Sequence, residues 1–293
     1  MSADISGTTA AVAWWIWPLA LFFACFLLGI VAVIAGIGGG VLFVPIVGGF
    51  FPFHLDFVRG AGVLLALAAA LAAAPRLLRD GLASLRLALP LSLAGSVFSI
   101  LGALASFSLP TRGLETALGA LVLAIALLMF FRTPASTEAT RGAGDALAAG
   151  LGMRGAFIDP ADGHRTGWAA NRTAAGIAAF ALIGFLGGLF GLGAGWANVP
   201  ALNLLMDIPL KLAAGTSGLV ISIVNAPAAW IYFQQGAMLP IIAAPSLIGV
   251  MLGARVGVRL FRTLPAAQIR VFVIALLLFA GARSLLKGLQ IWT

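Results

Sequence analysis

Charged residues, cysteine and histidine are all scarce in this sequence. Only 9% of its 293 residues are charged, whereas a soluble domain carries about a quarter. The one cysteine, Cys25, excludes an intrachain disulfide, and the two histidines, His54 and His164, leave no cluster with metal-ligand spacing. The apolar stretches also lack the paired carboxylates or histidines that acid–base catalysis needs. We therefore expect no metal, no cofactor and no enzymatic activity.

Apolar length is what the sequence has instead. Hydrophobic residues make up 62% of the chain, and the mean hydropathy is +1.12. Several apolar runs reach 18 residues or more, enough for a helix to cross about 30 Å of hydrocarbon. The net charge of +8 sits in short loops between these runs, a pattern that reports orientation in a membrane and not a nucleic-acid partner. The sequence predicts an all-α, multi-pass integral membrane protein in a lipid bilayer.

A glycine-rich stretch interrupts the first apolar run and recurs later in the chain. Gly36-Ile-Gly-Gly-Gly-Val-Leu-Phe-Val-Pro45 returns as Gly191-Leu-Gly-Ala-Gly-Trp-Ala-Asn-Val-Pro200, 155 residues further on. Other glycines and prolines match at the same offset over about 100 residues, which indicates two copies of one fold. We predict a first repeat over 14–131, a polar linker over 132–172 and a second repeat over 173–287.

The basic residues predict how each repeat crosses the membrane. If the loop with Arg76, Arg79 and Arg86, the 132–172 linker and the arginine-rich loop before the last span are all cytoplasmic, 173–206 must enter and leave on one side. Symmetry between the copies then makes 14–53 a second hairpin. Each repeat is then a hairpin plus three spans, which gives about eight membrane segments. The two copies have opposite orientation, and 13 of the 17 basic residues lie inside. Inverted repeats with broken helices are the common build of secondary transporters, whose site lies at the midplane between the repeats.

The two glycine turns are the first candidates for a substrate site. Non-helical backbone at membrane depth is tolerated where protein or a water-filled cavity satisfies it. A new helix starts after each turn, and its free N–H groups favour an anion. The predicted binding residues here are Gly38, Gly39 and Gly40 in the first turn, with Gly193, Gly195 and Asn198 in the second. The alternative is that these glycines only permit close helix packing.

Polar residues of a later segment form the second candidate group. Gly215, Thr216 and Ser217 open a span over 212–233, and Asn225 follows on the same helix face as Gly215. The two hydroxyls suit contact with solute oxygens or helix N-capping. The matching first-half segment is Arg59-Gly-Ala-Gly62. Arg59 is either an interfacial residue whose side chain reaches the headgroups or the positive charge for an oxyanion.

These paired motifs make the chain resemble the TauE/SafE sulfite exporter family, also called the toluene sulfonate uptake permease family. The resemblance covers both halves outside 132–172. The first glycine motif matches fully, the second has Ala194 in place of glycine, and the first Gly-Thr-Ser has become Gly60-Ala61-Gly62. The resemblance implies a carrier in the bacterial cytoplasmic membrane for sulfur-containing anions such as sulfite, thiosulfate or organosulfonates.

The resulting hypothesis is a secondary transporter, most simply an exporter, that works by alternating access at a midplane anion site. Three alternatives stay open at this point: a carrier for other small anions such as carboxylates, a membrane-embedded enzyme, and a non-transporting subunit of a membrane complex.

Overall fold

The computed structural model describes residues 16–35, 38–50, 55–109, 111–131, 144–158, 165–193 and 195–263, together with parts of 271–286. In the first half these are α1 Ile16–Ala35, α2 Gly40–Phe50, α3 Leu55–Arg79, α4 Leu85–Ser106 and α5 Thr111–Phe131. The connection holds α6 Ala146–Gly150, β1 Arg154–Ile158 and β2 Arg165–Ala169. The second half has α7 Thr173–Phe190, α8 Gly195–Pro200 continued by a π-helical turn Ala201–Leu205, α9 Leu210–Gln234 and α10 Pro240–Thr263.

Six helices of the described residues are long and apolar enough to cross a membrane: α1, α3, α4, α7, α9 and α10. Much of their apolar surface faces outward, as in Leu93 and Val97 on α4, which are 69% and 59% exposed. Side chains of this kind would contact lipid. The prediction of an all-α, multi-pass membrane protein is therefore correct in its coarse form.

Close glycine contacts fix the packing of α1 on α10. Gly249, Gly253 and Gly257 of α10 lie against the backbone of Phe22, Phe26 and Ile30 of α1, in that order. Because both series ascend together, the two helices run parallel. A side chain at any of these glycines would collide with main-chain atoms, so glycine is what lets the helices approach.

The same packing recurs between α4 and α7. Gly184 lies against Gly95, and Gly188 lies against Ser99, so this pair also runs parallel. Helices α3 and α9 pack on each other at the centre of the molecule, in opposite directions: Gly60 lies beside Ala237, which follows α9. At the other end of the pair, Gly215 of α9 lies beside Leu82, which follows α3.

These contacts repeat at the offset of 155 that relates the two sequence copies. Gly29 packs on the Val250 carbonyl, and 155 residues further on Gly184 packs on the carbonyl of Gly95, the partner of Val250 at that offset. Two more contacts recur in the same way. Gly102 packs on Phe185, and its counterpart Gly257 packs on Ile30. Gly60 packs on Ala237, and its counterpart Gly215 packs on Leu82. Three glycine pairs shared by the two sequence copies, Gly29 with Gly184, Gly60 with Gly215 and Gly102 with Gly257, thus mark equivalent helix contacts.

The connection between the halves contains structure that the sequence did not predict. Strands β1 and β2 form an antiparallel pair in which Gly155 lies opposite Trp168, and the indole ring lies over the glycine. Asp145 accepts hydrogen bonds from the Ala148 N–H and from the N–H and hydroxyl of Thr173, so one carboxylate caps α6 and the start of α7. These bonds attach the connection to the second half.

Candidate functional site

The two glycine turns touch each other. Gly40, the first residue of α2, lies against the Leu192 carbonyl, and Gly62 of α3 lies against the Gly191 carbonyl. Ala66 of α3 is close to both turns, since a methyl group on either Gly38 or Gly193 would contact its side chain. The described residues of the two turns therefore meet; Gly36 and Ala194 lie outside the described residues.

Backbone geometry explains why glycine breaks the helix at each turn. Gly38 has φ +76° and Gly193 has φ +74°, values that side-chain-bearing residues rarely adopt. Helix α7 ends because Gly191, with φ 67°, is its left-handed C-terminal cap. The second turn also returns the chain to where it entered: the Asn171 N–H donates to the Met206 carbonyl at 3.2 Å. Segment 173–206 thus enters and leaves at the same end of α7.

Two buried asparagines lie in this region. Asn225 of α9 is 1% exposed and lies against Gly193, whose Cβ position would be 3.2 Å from the Asn225 Cγ atom. Asn198 of α8 is 0% exposed, and neither amide atom has a hydrogen-bond partner among the residues that the structure describes. An unsatisfied buried amide costs about 1–3 kcal/mol, so a group that bonds Asn198 would recover that cost.

Asn203, the other asparagine of the second hairpin, is different. Its amide donates to the Ile208 carbonyl at 2.8 Å, within the chain reversal after the π-helical turn. Its polar contact is therefore internal to the protein. Of the two asparagines that flank Pro200, only Asn198 keeps its amide for another partner.

The Gly215–Ser217 motif lies elsewhere in the fold. Helix α9 begins at Leu210, so Thr216 and Ser217 are inside the helix and the N-cap alternative is wrong. Thr216 Oγ1 accepts the Ser84 N–H at 3.1 Å, which satisfies the start of α4. Gly215 allows the Leu82 carbonyl to approach the helix closely, so its role here is helix packing. Asn225 follows Thr216 by nine positions, or about 13.5 Å along the helix, so the two side chains lie at different depths.

Arg59 is buried, which contradicts its interpretation as an interfacial residue. Its side chain is 2% exposed, and Nη2 pairs with Asp56 Oδ1 at 3.3 Å. Nη1 donates to the Ser106 carbonyl at 3.5 Å. The Tyr232 hydroxyl donates to the Gly188 carbonyl at 2.9 Å and lies 3.1 Å from Ser106 Oγ. Sequence reasoning missed Ser106 and Tyr232; the signal was that Tyr232 is the chain's one tyrosine and lies on the same helix as Thr216, Ser217 and Asn225.

A cavity lies at the other side of the turns. The space within it and at its open mouth totals about 310 Å³, and small residues line most of it. Ala69, Ala70, Ala73 and Leu77 of α3 form one wall, and Gly38 reaches it from the first turn. The remaining lining residues are Ala32, Val33, Ala214, Gly218 and Ile221. The run of alanines in α3 was the sequence signal for this space.

Two further predicted residues, Gly39 and Gly195, are buried near these turns, and Ser222 of α9 is half-buried. Gly39 faces the Val250 side chain of α10, and a Cβ atom on Gly39 would lie 3.3 Å from it. Gly195 is the first residue of α8. Ser222 donates to the Leu219 carbonyl in its own helix, so its hydroxyl is used internally. The structure thus brings together Gly38, Gly40, Gly193 and Asn225, while Thr216 lies toward the α3–α4 loop.

Comparison with known proteins identifies the family. Residues 21–284 match the family described as sulfite exporter TauE/SafE. The chain belongs to the TauE/SafE family. The family consists of membrane transporters and not of enzymes, which agrees with the sequence-based expectation of a multi-pass membrane protein. Within this TauE/SafE chain, 114 residues are 30% identical to the "Probable membrane transporter protein YunE" of Bacillus subtilis (strain 168).

That similarity is partial. The matched stretch covers 39% of this chain and 42% of the Bacillus subtilis protein, so the relative supports a transport role without identifying a substrate. No solved structure matches the chain.

Proposed function

We propose that the protein is a secondary transporter of small sulfur-containing anions, such as sulfite, thiosulfate or organosulfonates, and that it binds them where the glycine turns meet. The family description supports the sulfur chemistry. The observation that carries the site is Asn198, whose fully buried amide lacks a hydrogen-bond partner among the described residues. A transporter needs such a group, because its substrate must replace water contacts with protein contacts.

The chemistry around the turns suits an oxyanion. The N–H groups at the start of α2, near Gly40, are free of helical partners and carry the positive end of the helix dipole. The amides of Asn198 and Asn225 add donors from the second half, and Asn225 lies beside the positive-φ Gly193. Donors without a full charge bind an anion weakly enough to release it. In this proposal Gly38, Gly39, Gly193 and Gly195 contribute mainly their backbone groups.

The two halves are proposed to be inverted copies that rock about this site. A hairpin followed by three spans gives α1 and α10 the same direction only if the copies have opposite orientation. The parallel packing of α1 on α10 and of α4 on α7 supports that arrangement. The Asn171–Met206 contact supports the hairpin of the second copy. Alternating access follows from such a pair, because each half presents the same surface to opposite sides.

Export is the proposed direction. An inside-negative potential of about 100 mV favours expulsion of one negative charge by about 2.3 kcal/mol, or roughly 50-fold accumulation outside. No coupled ion is then required.

A flux screen in proteoliposomes tests the function. We expect saturable, trans-stimulated uptake of sulfite or thiosulfate, and weaker uptake of carboxylates. Asn198→Leu and Asn225→Leu should each raise the KM or lower the flux by about tenfold, since a hydrogen bond to a charged group is worth about 1.5–3 kcal/mol.

Asn203→Leu is the matched control, because that buried amide bonds Ile208 within the protein. It should reduce the yield of folded protein and leave the KM unchanged. Normal sulfite kinetics in both Asn198→Leu and Asn225→Leu would show that the site is wrong. Flux of carboxylates alone would show that the substrate class is wrong.

A further inference from the structure

The chain's one tyrosine lies at the centre of a buried polar cluster that joins four helices. Tyr232 of α9 bonds the Gly188 carbonyl of α7 and contacts Ser106 of α4, and Arg59 of α3 bonds the Ser106 carbonyl. Asp56 neutralises the guanidinium. These four side chains, Asp56, Arg59, Ser106 and Tyr232, are called the Tyr232 cluster below. The cluster ties together helices from both halves.

Helix α3 orders the cluster, the turns and the cavity along one axis. Arg59 comes first, Ala66 touches both turns seven residues later, and Ala73 and Leu77 line the cavity beyond. At 1.5 Å per residue, the Arg59 and Ala73 Cα atoms are each about 10 Å from Ala66 along the axis. The Tyr232 cluster therefore closes one side of the turns, and the open space is on the other side.

The offset of 155 relates the two sides. Tyr232 corresponds to Leu77, and Arg59 corresponds to Ala214, and both of these partners line the cavity. The large polar side chains on the closed side thus occupy positions whose counterparts border empty space on the open side. The glycine contacts follow the same offset, so this correspondence belongs to the fold and not to the sequence alone.

We propose that the Tyr232 cluster is the gate on one side of the transport path, closed in this structure while the cavity gives access from the opposite side. Opening requires the bonds of Tyr232 to Gly188 and of Arg59 to Ser106 to break. This inference rests on the alternating-access mechanism proposed above. It assigns Arg59 to the gate and not to direct contact with the anion.

Cysteine reactivity of purified protein measures the gate without any substrate. In a Cys25→Ala background, Val63→Cys places a reporter among the residues packed on Tyr232, and Ala73→Cys places one in the cavity. Val63 is 0% exposed and corresponds to the cavity residue Gly218. Tyr232→Phe removes the hydroxyl and keeps the ring. We expect it to raise the maleimide reaction rate of the Val63→Cys reporter by roughly tenfold and to lower that of the Ala73→Cys reporter.

Ser222→Ala is the matched control, since it removes a hydroxyl from the same helix whose bond is to Leu219 of that helix. It should change neither rate. If Tyr232→Phe accelerates the reaction of both reporters, the helix pair has merely loosened and the gate proposal is wrong. Unchanged rates of both reporters would also contradict the gate proposal, even if the protein transports sulfite. Opposite changes in the two rates together with absent sulfite flux would support the gate and count against the proposed substrate.

Discussion

Two glycines one turn apart on α9, Gly215 and Gly218, differ in whether helix packing requires glycine. A methyl group on Gly215 would collide with the Leu82 carbonyl, whereas one on Gly218 would meet no atom within 4 Å. Gly215→Ala should therefore destabilise the protein by about 1–3 kcal/mol through overpacking. Gly218→Ala should be neutral or stabilise it by up to about 1 kcal/mol, because alanine is the better helix former. Melting temperatures in detergent measure both, and equal effects of the two substitutions would contradict the packing assignment.

The positions of the important glycines could be predicted from the sequence better than the contacts of the polar side chains. Contact glycines such as Gly60 and Gly215 stand out in the sequence because both copies carry them at the same place. Burial of Arg59 could not be predicted, because it depends on Ser106, 47 residues away, and on Tyr232 of the other half. Thr216 bonds Ser84, 132 residues earlier in the chain, and no local pattern reveals that partner. Long-range contacts of single side chains are where the sequence-based hypothesis about the site was incomplete.

Among the larger elements, the broken helices were predictable and the folded connection was not. Clustered glycines within an apolar run predict a break in the helix, and the structure shows the positive φ of Gly38 and Gly193 at the two breaks. Strands of five residues with a glycine and an alanine give little alternation in sequence, and the pairing of Gly155 with Trp168 across the strands is visible only in the structure. The predicted linker over 132–172 therefore contains a docked helix and hairpin over 144–169 of its described part.

The carboxylate that docks this connection should make its stability depend on pH. Hydrogen bonds from the Thr173 N–H, the Ala148 N–H and the Thr173 hydroxyl lower the pKa of Asp145 below the ordinary value of 3.8. The stabilisation is then fully present above pH 3.8 and is lost as the pH falls through the lowered pKa. Asp145→Ala should lower the melting temperature at pH 7, and this difference should shrink at about pH 3.

Thr173→Val provides the comparison, because it removes only the hydroxyl contact and leaves the Thr173 N–H bond to Asp145. Its effect at pH 7 should be smaller than that of Asp145→Ala. A melting-temperature difference for Asp145→Ala that is the same at pH 3 and pH 7 would contradict the assigned role of the ionised carboxylate.

The architecture of the whole molecule depends on the relation between its halves. Contacts that recur at an offset of 155, together with the parallel pairs α1–α10 and α4–α7, support the proposal that the two copies have opposite orientation. Equivalent loops of an inverted pair must lie on opposite sides of the membrane. In the proposed arrangement the loop after α3 and the loop after α9 are such a pair, since they lie at opposite ends of the packed helices α3 and α9.

Arg79 and Gln234 test that relation directly, since both are exposed and differ by the offset of 155. In a Cys25→Ala background, the cysteine from Gln234→Cys should react with a membrane-impermeant thiol reagent in intact cells. The cysteine from Arg79→Cys should react only after permeabilisation, because Arg76 and Arg86 keep that loop cytoplasmic. Reaction of both cysteines from the same side would contradict the inverted arrangement. Reaction of Arg79→Cys alone in intact cells would keep the inversion and reverse the orientation, and with it the side on which the Tyr232 cluster closes.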